Sequence, residues 1–381
     1  MNVEAILSEL ERQGNLRNLP AELPSGTLDF TSNDYLGINV RTDLRDEFLR
    51  SICASTSAPS LSAVASRLLD SNAASARRLE ARLSALYGHG REALLFNSGY
   101  HANTGIISSI ASLPSVAVIA DRLVHASIID GITLSRTRFQ RFRHNDFDHL
   151  EHLIATVDPS VETILVIVES VYSMDGDSTD LTRLTDLRRR YPRVKLYVDE
   201  AHAFGIEGPS GLGMVQSLPD PSEIDILIGT LGKAAASVGA FAIVSPAMRR
   251  FLINRARSLI FSTALPPLNH EWTLFILDHI IRMDAERSRL RDLSLRLASH
   301  ITRATGSPAS PSHIQPVIVG DPVKAVKLSH ALDELGIHVL PIRVPTVPAG
   351  TERLRISLSA AHTPADVDRL GNSLIQLLIS Q

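Results

Sequence analysis

The feature that most constrains this chain is the alternation of strand and helix patterns from about residue 75 to residue 244. Apolar runs such as ETILVIVES and DILIGT lack polar alternation, which is typical of strands buried on both faces. Segments with helical spacing of apolar residues, such as SARRLEARLSALYG and LTRLTDLRRRY, lie between these runs. This order predicts an α/β fold with a large, mostly parallel sheet covered by helices on both sides.

A different pattern begins near residue 271. One long helical stretch is predicted for 271–305, followed by the strands QPVIVG, HVLPI and RLRISLS and by helices at 322–335 and 364–379. The length of 381 residues also favours more than one core. We therefore predict an N-terminal segment (1–44), a large α/β domain (45–272) and a small C-terminal α+β domain (273–381).

Composition argues against several functional classes. A net charge of -3 gives no electrostatic reason to expect nucleic acid or an anionic membrane as partner. The most apolar segment, ETILVIVESV, is about half as long as a membrane-crossing helix. Because Cys53 is the only cysteine, neither an intramolecular disulfide nor a cysteine-rich zinc site is possible, and an incidental role is favoured over a nucleophilic one. We expect a soluble protein of the reducing cytoplasm.

Polar residues follow several predicted strands at their carboxyl ends, where parallel sheets bind ligands. EALLF leads to Ser98, Gly99 and Tyr100 at the start of a helix, whose free N–H groups suit a phosphate, although a plain N-cap explains them equally well. VAVIA leads to His125, which could also be an ordinary surface or core histidine.

The loop after ETILVIVES contains Ser173, Asp175 and Asp177. The two acids could be turn formers, with magnesium ligation as the alternative.

Two further strand ends carry the strongest signals. KLYVDEAH places Asp199 at the end of an apolar strand, with His202 three residues later. A buried carboxylate needs a partner, which could be a metal held with His202 or a cationic heterocycle. The metal alternative lacks further ligands of suitable spacing. DILIGTLGKAAAS then places Lys233 in a small, dry loop, where desolvation favours a neutral, nucleophilic amine over a merely structural lysine.

Together these residues match the needs of pyridoxal 5'-phosphate. The lysine would bind the aldehyde, the aspartate would keep the ring nitrogen protonated, and the helix start would hold the phosphate. No metal is required.

With these residues in this order, the chain resembles a known family, the α-oxoamine synthases of the fold type I (aspartate aminotransferase-like) class. The resemblance runs from FTSNDYLGI (30–38) almost to the end of the chain and includes LLFNSGYHAN, DRLVHASIIDG, ESVYSMDGD, VDEAHAFG, GTLGKA and FSTALPP. The stretch IRVPTVPAGTERLRISLSAAHT favours the member that acts in biotin biosynthesis.

The resemblance implies a role for each matching residue. Lys233 would bind the cofactor aldehyde, His125 would stack on the ring, Asp199 would pair with the ring nitrogen, and His202 would bond the 3-hydroxyl. Gly99 and Tyr100 would lie at the phosphate with Ser173, Thr230 and Thr263, the last reaching from the neighbouring subunit of a homodimer. Arg343 and Asn33 would bind the carboxylate of the amino acid.

The resemblance also implies a reaction. L-Alanine would condense with a pimeloyl thioester, carried by coenzyme A or by an acyl-carrier protein, and CO2 would be lost. Another oxoamine synthase using glycine or serine is the nearest alternative. An aminotransferase is less favoured because the SNDYLG and IRVPTVPAGT stretches belong to the synthases, and a non-catalytic partner subunit because the lysine is present.

The chain departs from the family pattern in the loop before the large domain's first long helix. Ser62 and Val64 stand where the family has glycines, and Ala76 stands where it has a histidine. Alanines also replace glycines after Lys233. Side chains in place of bare backbone would narrow or reshape the substrate entry.

Overall fold

The computed structural model describes residues 2–55, 58–70 and 73–379. The chain forms two compact units. The first contains the residues up to Gly37, Ser173–Asp177 and the residues from Ala285 onward, and the second contains Ile38–Tyr172 and Ser178–Asp284. Most of the predicted N-terminal segment, up to Gly37, therefore belongs to the same unit as the C-terminal region, whereas 38–44 belongs to the second unit.

The strands are β1 (Leu28–Asp29), β2 (Glu92–Phe96), β3 (Val116–Asp121), β4 (Phe139–Phe142), β5 (Thr163–Glu169), β6 (Val194–Asp199), β7 (Ile226–Thr230), β8 (Ala240–Val244), β9 (Ile314–Ile318), β10 (Ile337–His338), β11 (Leu340–Ile342) and β12 (Arg353–Ser357). The α-helices are α1 (Val3–Arg12), α2 (Thr42–Ala54), α3 (Ala74–Tyr87), α4 (Gly99–Ala111), α5 (Ala126–Ser135), α6 (Phe147–Thr156), α7 (Leu181–Arg190), α8 (Pro246–Arg255), α9 (Arg257–Ile260), α10 (Pro267–Ile280), α11 (Asp284–Thr305), α12 (Pro322–Glu334) and α13 (Pro364–Ile379).

The second unit is built on a seven-stranded sheet in the order β2-β8-β7-β6-β5-β3-β4. The strands from β7 to β4 pair in parallel, whereas β8 pairs antiparallel with both β2 and β7. Strands β7 and β8 are buried along their whole length, as expected for apolar runs covered on both faces. The predicted mostly parallel α/β sheet is confirmed.

Register places two carboxylates side by side at one edge of this sheet. Glu169 ends β5 opposite Asp199, which ends β6 and pairs with Ile228 of β7. Helices α4 and α5 pack closely beside this edge, because a Cβ added at Gly131 would lie 2.9 Å from the carbonyl oxygen of Asn103. The close packing holds the start of each helix beside the strand ends.

The first unit contains a three-stranded antiparallel sheet in the order β11-β12-β9 and the helices α11, α12 and α13. Strand β1 pairs in parallel with β10 within the same unit. The predicted helical stretch 271–305 is two helices, α10 and α11, separated at Ile281–Met283. The interruption lies beside the boundary between the units, which follows Asp284.

No helix in the described part of the chain is both long enough and apolar enough to cross a lipid bilayer.

Candidate active site

Lys233 lies in the turn that connects β7 to β8. The turn is closed by a hydrogen bond from the Ala236 N–H to the Lys233 carbonyl (2.8 Å) and one from the Ser237 N–H to the Leu231 carbonyl (2.9 Å). The neighbouring Ala234 is buried. Because of this fixed backbone, the Lys233 amine reaches His202, with 2.6 Å between Nζ and Nε2. The structure thus brings together two residues that the sequence predicted from different strand ends.

Asp199 is a buried carboxylate held by neutral donors. Its Oδ1 accepts a hydrogen bond from the Ala201 N–H (2.9 Å), and its Oδ2 accepts one from Asn103 Nδ2 (2.8 Å). Neither donor carries a charge, so the negative charge of Asp199 remains available to a cationic group. This is the property required of a partner for a protonated ring nitrogen.

Asn103 was given no role by the sequence analysis. It is buried in α4, one helical turn after the predicted phosphate residues, and its Nδ2 also donates to Ser127 Oγ (2.9 Å). Its Oδ1 accepts from the Tyr197 hydroxyl (2.5 Å), and burial raises the pKa of that hydroxyl well above its usual value. The helical spacing of Asn103 from Gly99 is a signal that could have identified it.

His125 caps the start of α5. Its Nδ1 accepts from the Ser127 N–H (3.2 Å) and lies 2.7 Å from Ser127 Oγ. Its backbone N–H donates to Glu169 Oε1. The side chain keeps access to solvent, yet the surrounding protein lowers its pKa, and the Lys233 amine lowers it further while Asp199 raises it. A neutral, oriented imidazole suits a role in stacking on an aromatic ring.

The start of α4 lies beside the end of β7. Ser98 caps the helix by accepting a hydrogen bond from the His101 N–H (3.2 Å), and a Cβ added at Gly99 would lie 3.8 Å from Thr230 Oγ1. Backbone N–H groups of the first helical turn lack intrahelical partners, and they attract anions. The Tyr100 hydroxyl donates to Asp130 Oδ2 of α5 (2.7 Å), and the backbone N–H of Tyr100 lies in the first turn of α4.

Thr263 is exposed on the surface of the second unit. It forms a bridge with Ser66, and the neighbouring Ala264 N–H donates to the Ala65 carbonyl (2.9 Å). Asn97 Nδ2 also donates to the Thr263 carbonyl (2.6 Å). The loop that departs from the family pattern is therefore fixed against the segment that contains Thr263.

The loop that contains Ser62 and Val64 has a left-handed backbone conformation that usually favours glycine, although it has no glycine at these positions. Val64 has a φ of 51°, in the left-handed region, and Ala236, after Lys233, has a φ of 44°. Ser62 Oγ accepts from the Val64 N–H (3.2 Å). Ala76 is buried within α3, and its neighbour Ser75 lies 3.1 Å from Nδ1 of the buried His270.

The predicted substrate residues lie in the first unit. Asn33 Oδ1 accepts from Nη2 of Arg355 (3.2 Å), whereas Arg343 donates to the Gly14 carbonyl. Burial and the nearby Arg17 lower the pKa of Arg343. The structure thus places Asn33 beside Arg355.

Arg355 is buried, and Ser173 lies beside it. Arg355 Nε donates to the Ser173 carbonyl (2.6 Å), and Nη1 donates to Ser357 Oγ (2.6 Å). All of these acceptors are neutral, so the guanidinium charge remains available to an anion. The sequence analysis missed Arg355, although it lies in RLRISLS, a segment quoted for the resemblance.

The described residues contain no group of three or more His, Cys, Asp or Glu side chains arranged to hold a metal. Pyridoxal phosphate suits the residues that are present: an amine at 233, a buried anion with neutral partners at 199, and a helix start with a glycine at 99.

Comparison with known proteins supports the same class. Residues 27–374 match the family model described as aminotransferase class I and II. The 8-amino-7-oxononanoate synthase of Chlorobaculum parvum is 42% identical over 352 residues, which are 92% of this chain and 89% of the relative.

Solved structures agree. The serine palmitoyltransferase of S. paucimobilis, with a PLP–myriocin adduct bound, superposes with a TM-score of 0.87 at 26% identity over 98% of this chain and 96% of that one. The 8-amino-7-oxononanoate synthase of Francisella tularensis superposes with a TM-score of 0.76 at 26% identity over 94% and 99% of the two chains. The predicted fold type I class and the predicted cofactor are confirmed. The chain therefore belongs to the aminotransferase class I and II family, as a pyridoxal-phosphate-dependent enzyme that resembles the 8-amino-7-oxononanoate synthases.

Proposed function

We propose that this protein condenses L-alanine with a pimeloyl thioester, with loss of CO2 and release of the free thiol, to give 8-amino-7-oxononanoate in biotin biosynthesis. The observation that carries the proposal is the Lys233–His202 pair at 2.6 Å beside a buried Asp199, in a chain 42% identical to a synthase of that name. Location in the cytoplasm is part of the proposal and is supported by the lone cysteine.

When bound, pyridoxal phosphate supplies an aldehyde that joins amines and a ring that accepts the electrons released at the amino acid's Cα. Lys233 would bind that aldehyde and, once freed by the substrate amine, would remove the Cα proton with Nζ. A neutral His202 can accept a hydrogen bond from Nζ and so hold the lysine amine in place, and it would also bond the ring's 3-hydroxyl. The anionic Asp199 would keep the ring nitrogen protonated, and His125 would stack on the ring.

The N–H groups of Gly99 and Tyr100 and the hydroxyl of Thr230 would hold the cofactor phosphate. Support comes from the approach of Gly99 to Thr230 at the start of α4. Ser173 remains a proposed phosphate ligand as well, on the ground of the resemblance.

An arginine and Asn33 would bind the amino acid's carboxylate, which orients the Cα–H bond. The resemblance implied Arg343 for this role. The contacts favour Arg355, because its guanidinium lies 3.2 Å from Asn33 and all of its hydrogen-bond partners are neutral. Arg343 stays as the alternative.

We also propose a homodimer in which Thr263 reaches the phosphate of the neighbouring subunit. Support comes from large apolar side chains that are exposed on the loop fixed beside Thr263 and on the segment that precedes it, namely Leu61, Val64, Leu68, Leu69 and Phe261. Several large apolar side chains exposed on neighbouring segments are typical of a surface that another chain covers.

The substrate proposal is tested with purified holoenzyme. L-Alanine, glycine or L-serine is mixed with pimeloyl-coenzyme A or a pimeloyl acyl-carrier protein, and mass spectrometry measures the aminoketone while a thiol reagent measures release of the carrier. We expect product with alanine and a pimeloyl donor only, and none with Lys233→Ala. Borohydride reduction followed by peptide mapping should label Lys233; an unlabelled Lys233 would contradict its role.

A second candidate is another oxoamine synthase, favoured by the TM-score of 0.87 with a serine palmitoyltransferase. Product from serine or glycine with a different acyl thioester, and none from alanine, would establish it. A partner subunit without activity is the third possibility, and turnover with any of these substrates would exclude it.

A further inference from the structure

Glu200 follows Asp199 directly and is completely buried. Its backbone N–H donates to the Ile228 carbonyl (2.7 Å), and its carbonyl accepts from the Ala203 and Phe204 N–H groups (3.0 and 2.8 Å). The residue therefore joins the end of β6 both to β7 and to the turn that contains His202.

The Glu200 side chain is packed against a second turn of the same unit. Its Oε1 accepts from the Val215 N–H (3.0 Å). Gly213 has a φ of 99°, and a Cβ added there would lie 2.0 Å from Oε2. That oxygen is buried and has no hydrogen-bond partner in the structure. The turn thus fits the carboxyl group closely but supplies only part of the hydrogen bonding that an ionised carboxylate requires.

The electrostatic surroundings favour the neutral acid. Burial raises the pKa of Glu200 to about 8, and the negative charge of Asp199 also raises it, while the hydrogen bond from the Val215 N–H opposes the shift. Tyr87 of α3 also interacts with Glu200, and burial raises the pKa of that hydroxyl well above its usual value. Glu200 is therefore protonated near neutral pH.

We infer that Glu200 is a positioning residue for Asp199: as a neutral carboxylic acid, it anchors the end of β6 to the 213–215 turn without adding a second anion beside the cofactor's partner. The inference rests on the proposed role of Asp199. The two adjacent carboxyl groups make separate contacts, since Glu200 Oε1 accepts from the Val215 N–H whereas Asp199 Oδ2 accepts from Asn103.

Neutrality matters because Asp199 must be ionised to keep the ring nitrogen protonated. A second carboxylate next to it would favour protonation of one of the two and would disturb this pairing. A carboxylic acid provides the same anchor for the Val215 N–H with no such repulsion.

The experiment compares Glu200→Gln, Glu200→Ala and a control, Glu162→Gln, which replaces an exposed glutamate just before β5. Holoenzyme is titrated with acid and base while the absorbance of bound pyridoxal phosphate is recorded. We expect Glu200→Gln to keep the wild-type titration midpoint, because a neutral amide replaces a neutral acid. Glu200→Ala should shift the midpoint and retain the cofactor less well. A Gln variant that shifts like Ala, or an Ala variant with an unchanged midpoint, would overturn the inference.

A second measurement applies even where Glu200→Ala does not fold. The pKa of Glu200 is raised from 4.5 in the unfolded chain to about 8 in the fold. The folded wild type therefore binds more protons in this window, and its stability falls as pH rises through it. Gln does not titrate, so the unfolding temperature of wild type should fall relative to that of Glu200→Gln between those pH values. Parallel curves would contradict a neutral Glu200. Neither readout uses an acyl donor, so failure of the proposed reaction would leave this test intact.

Discussion

Asp199 in the second unit and Arg355 in the first present the same arrangement with opposite charge. Asp199 is a buried anion whose hydrogen-bond donors are a backbone amide and Asn103. Arg355 is a buried cation whose acceptors are carbonyl, amide and hydroxyl oxygens. By contrast, Arg353, two residues earlier on β12, is paired with the carboxylate of Asp175. A buried charge with only neutral partners carries an electrostatic cost that an ionic ligand can offset, which is why both sites suit ligands of opposite charge.

The two sites differ in how the fold supports them. Asp199 ends a strand in the middle of a parallel sheet, at the edge where ligands collect. Arg355 lies within β12 of an antiparallel sheet, and its neighbours Asn33 and Ser173 come from distant parts of the sequence. The position of Asp199 can therefore be inferred from the strand that precedes it, whereas the surroundings of Arg355 depend on contacts between residues far apart in sequence.

The largest effect is expected at the anion. Asp199→Asn keeps the shape but removes the charge, so the ring nitrogen would lose its proton and kcat should fall by at least about a hundredfold. Steady-state kinetics with the best amino acid and thioester measure this effect. The control Asp148→Asn replaces an exposed aspartate and should leave kcat unchanged. Full activity in Asp199→Asn would show that its uncompensated charge does not serve the cofactor.

The next test concerns the cation. Arg355→Ala should raise KM for the amino acid about 10- to 100-fold, as expected for the loss of charge-assisted hydrogen bonds. The cofactor should stay attached, which absorbance verifies. Arg343→Ala is the matched comparison, because it removes the other candidate arginine from the same unit. A rise in KM with Arg343→Ala and none with Arg355→Ala would reverse the assignment.

A smaller effect is expected from the neutral partner of Asp199. Asn103→Ala removes one of the hydrogen-bond donors to the carboxylate, so Asp199 should be held less firmly in position. The loss of one such hydrogen bond should lower kcat about 5- to 10-fold, measured by steady-state kinetics. The control Ser109→Ala removes a buried hydroxyl of the same helix that donates to the Gly105 carbonyl. An equal fall in kcat in both variants would indicate general loosening of α4.

The contrast between the sites also explains what the sequence could and could not predict. Lys233, Asp199 and His202 were identified because each follows an apolar strand, and parallel strands bring such residues to one edge. Asn103 was missed although its helical spacing from Gly99 was a signal, because its contacts with Ser127 and Asp199 form only in the folded chain. The segment IRVPTVPAGTERLRISLSAAHT contains three arginines, and the resemblance implied Arg343 for the carboxylate. Arg355 was missed because its contacts with Asn33 and Ser173 form only in the folded chain.

The smallest effect concerns the loop beside Thr263. There the left-handed backbone conformation of Val64 costs conformational free energy that few contacts within the chain compensate. Val64 is β-branched, has a φ of 51° and is 89% exposed, so little packing compensates for its left-handed conformation. That conformation costs about 1–2 kcal/mol for a residue with a Cβ, whereas the extra freedom of glycine in the unfolded chain costs about 0.5–1 kcal/mol. Val64→Gly should therefore raise the free energy of unfolding by about 0.5 kcal/mol, measured by urea denaturation.

Ala65→Gly is the matched control for that measurement, because the neighbouring residue is not among those with positive φ, and it should lower the stability. Ala236→Gly, at a φ of 44° in the Lys233 turn, should behave like Val64→Gly. If Val64→Gly is stabilising in dilute protein but destabilising at concentrations where the proposed dimer forms, then a second copy of the chain contacts this side chain and offsets its strain. If Val64→Gly is destabilising at every concentration, contacts within the monomer compensate the backbone strain of Val64. The loop would then differ from Asp199 and Arg355, whose buried charges have only neutral hydrogen-bond partners.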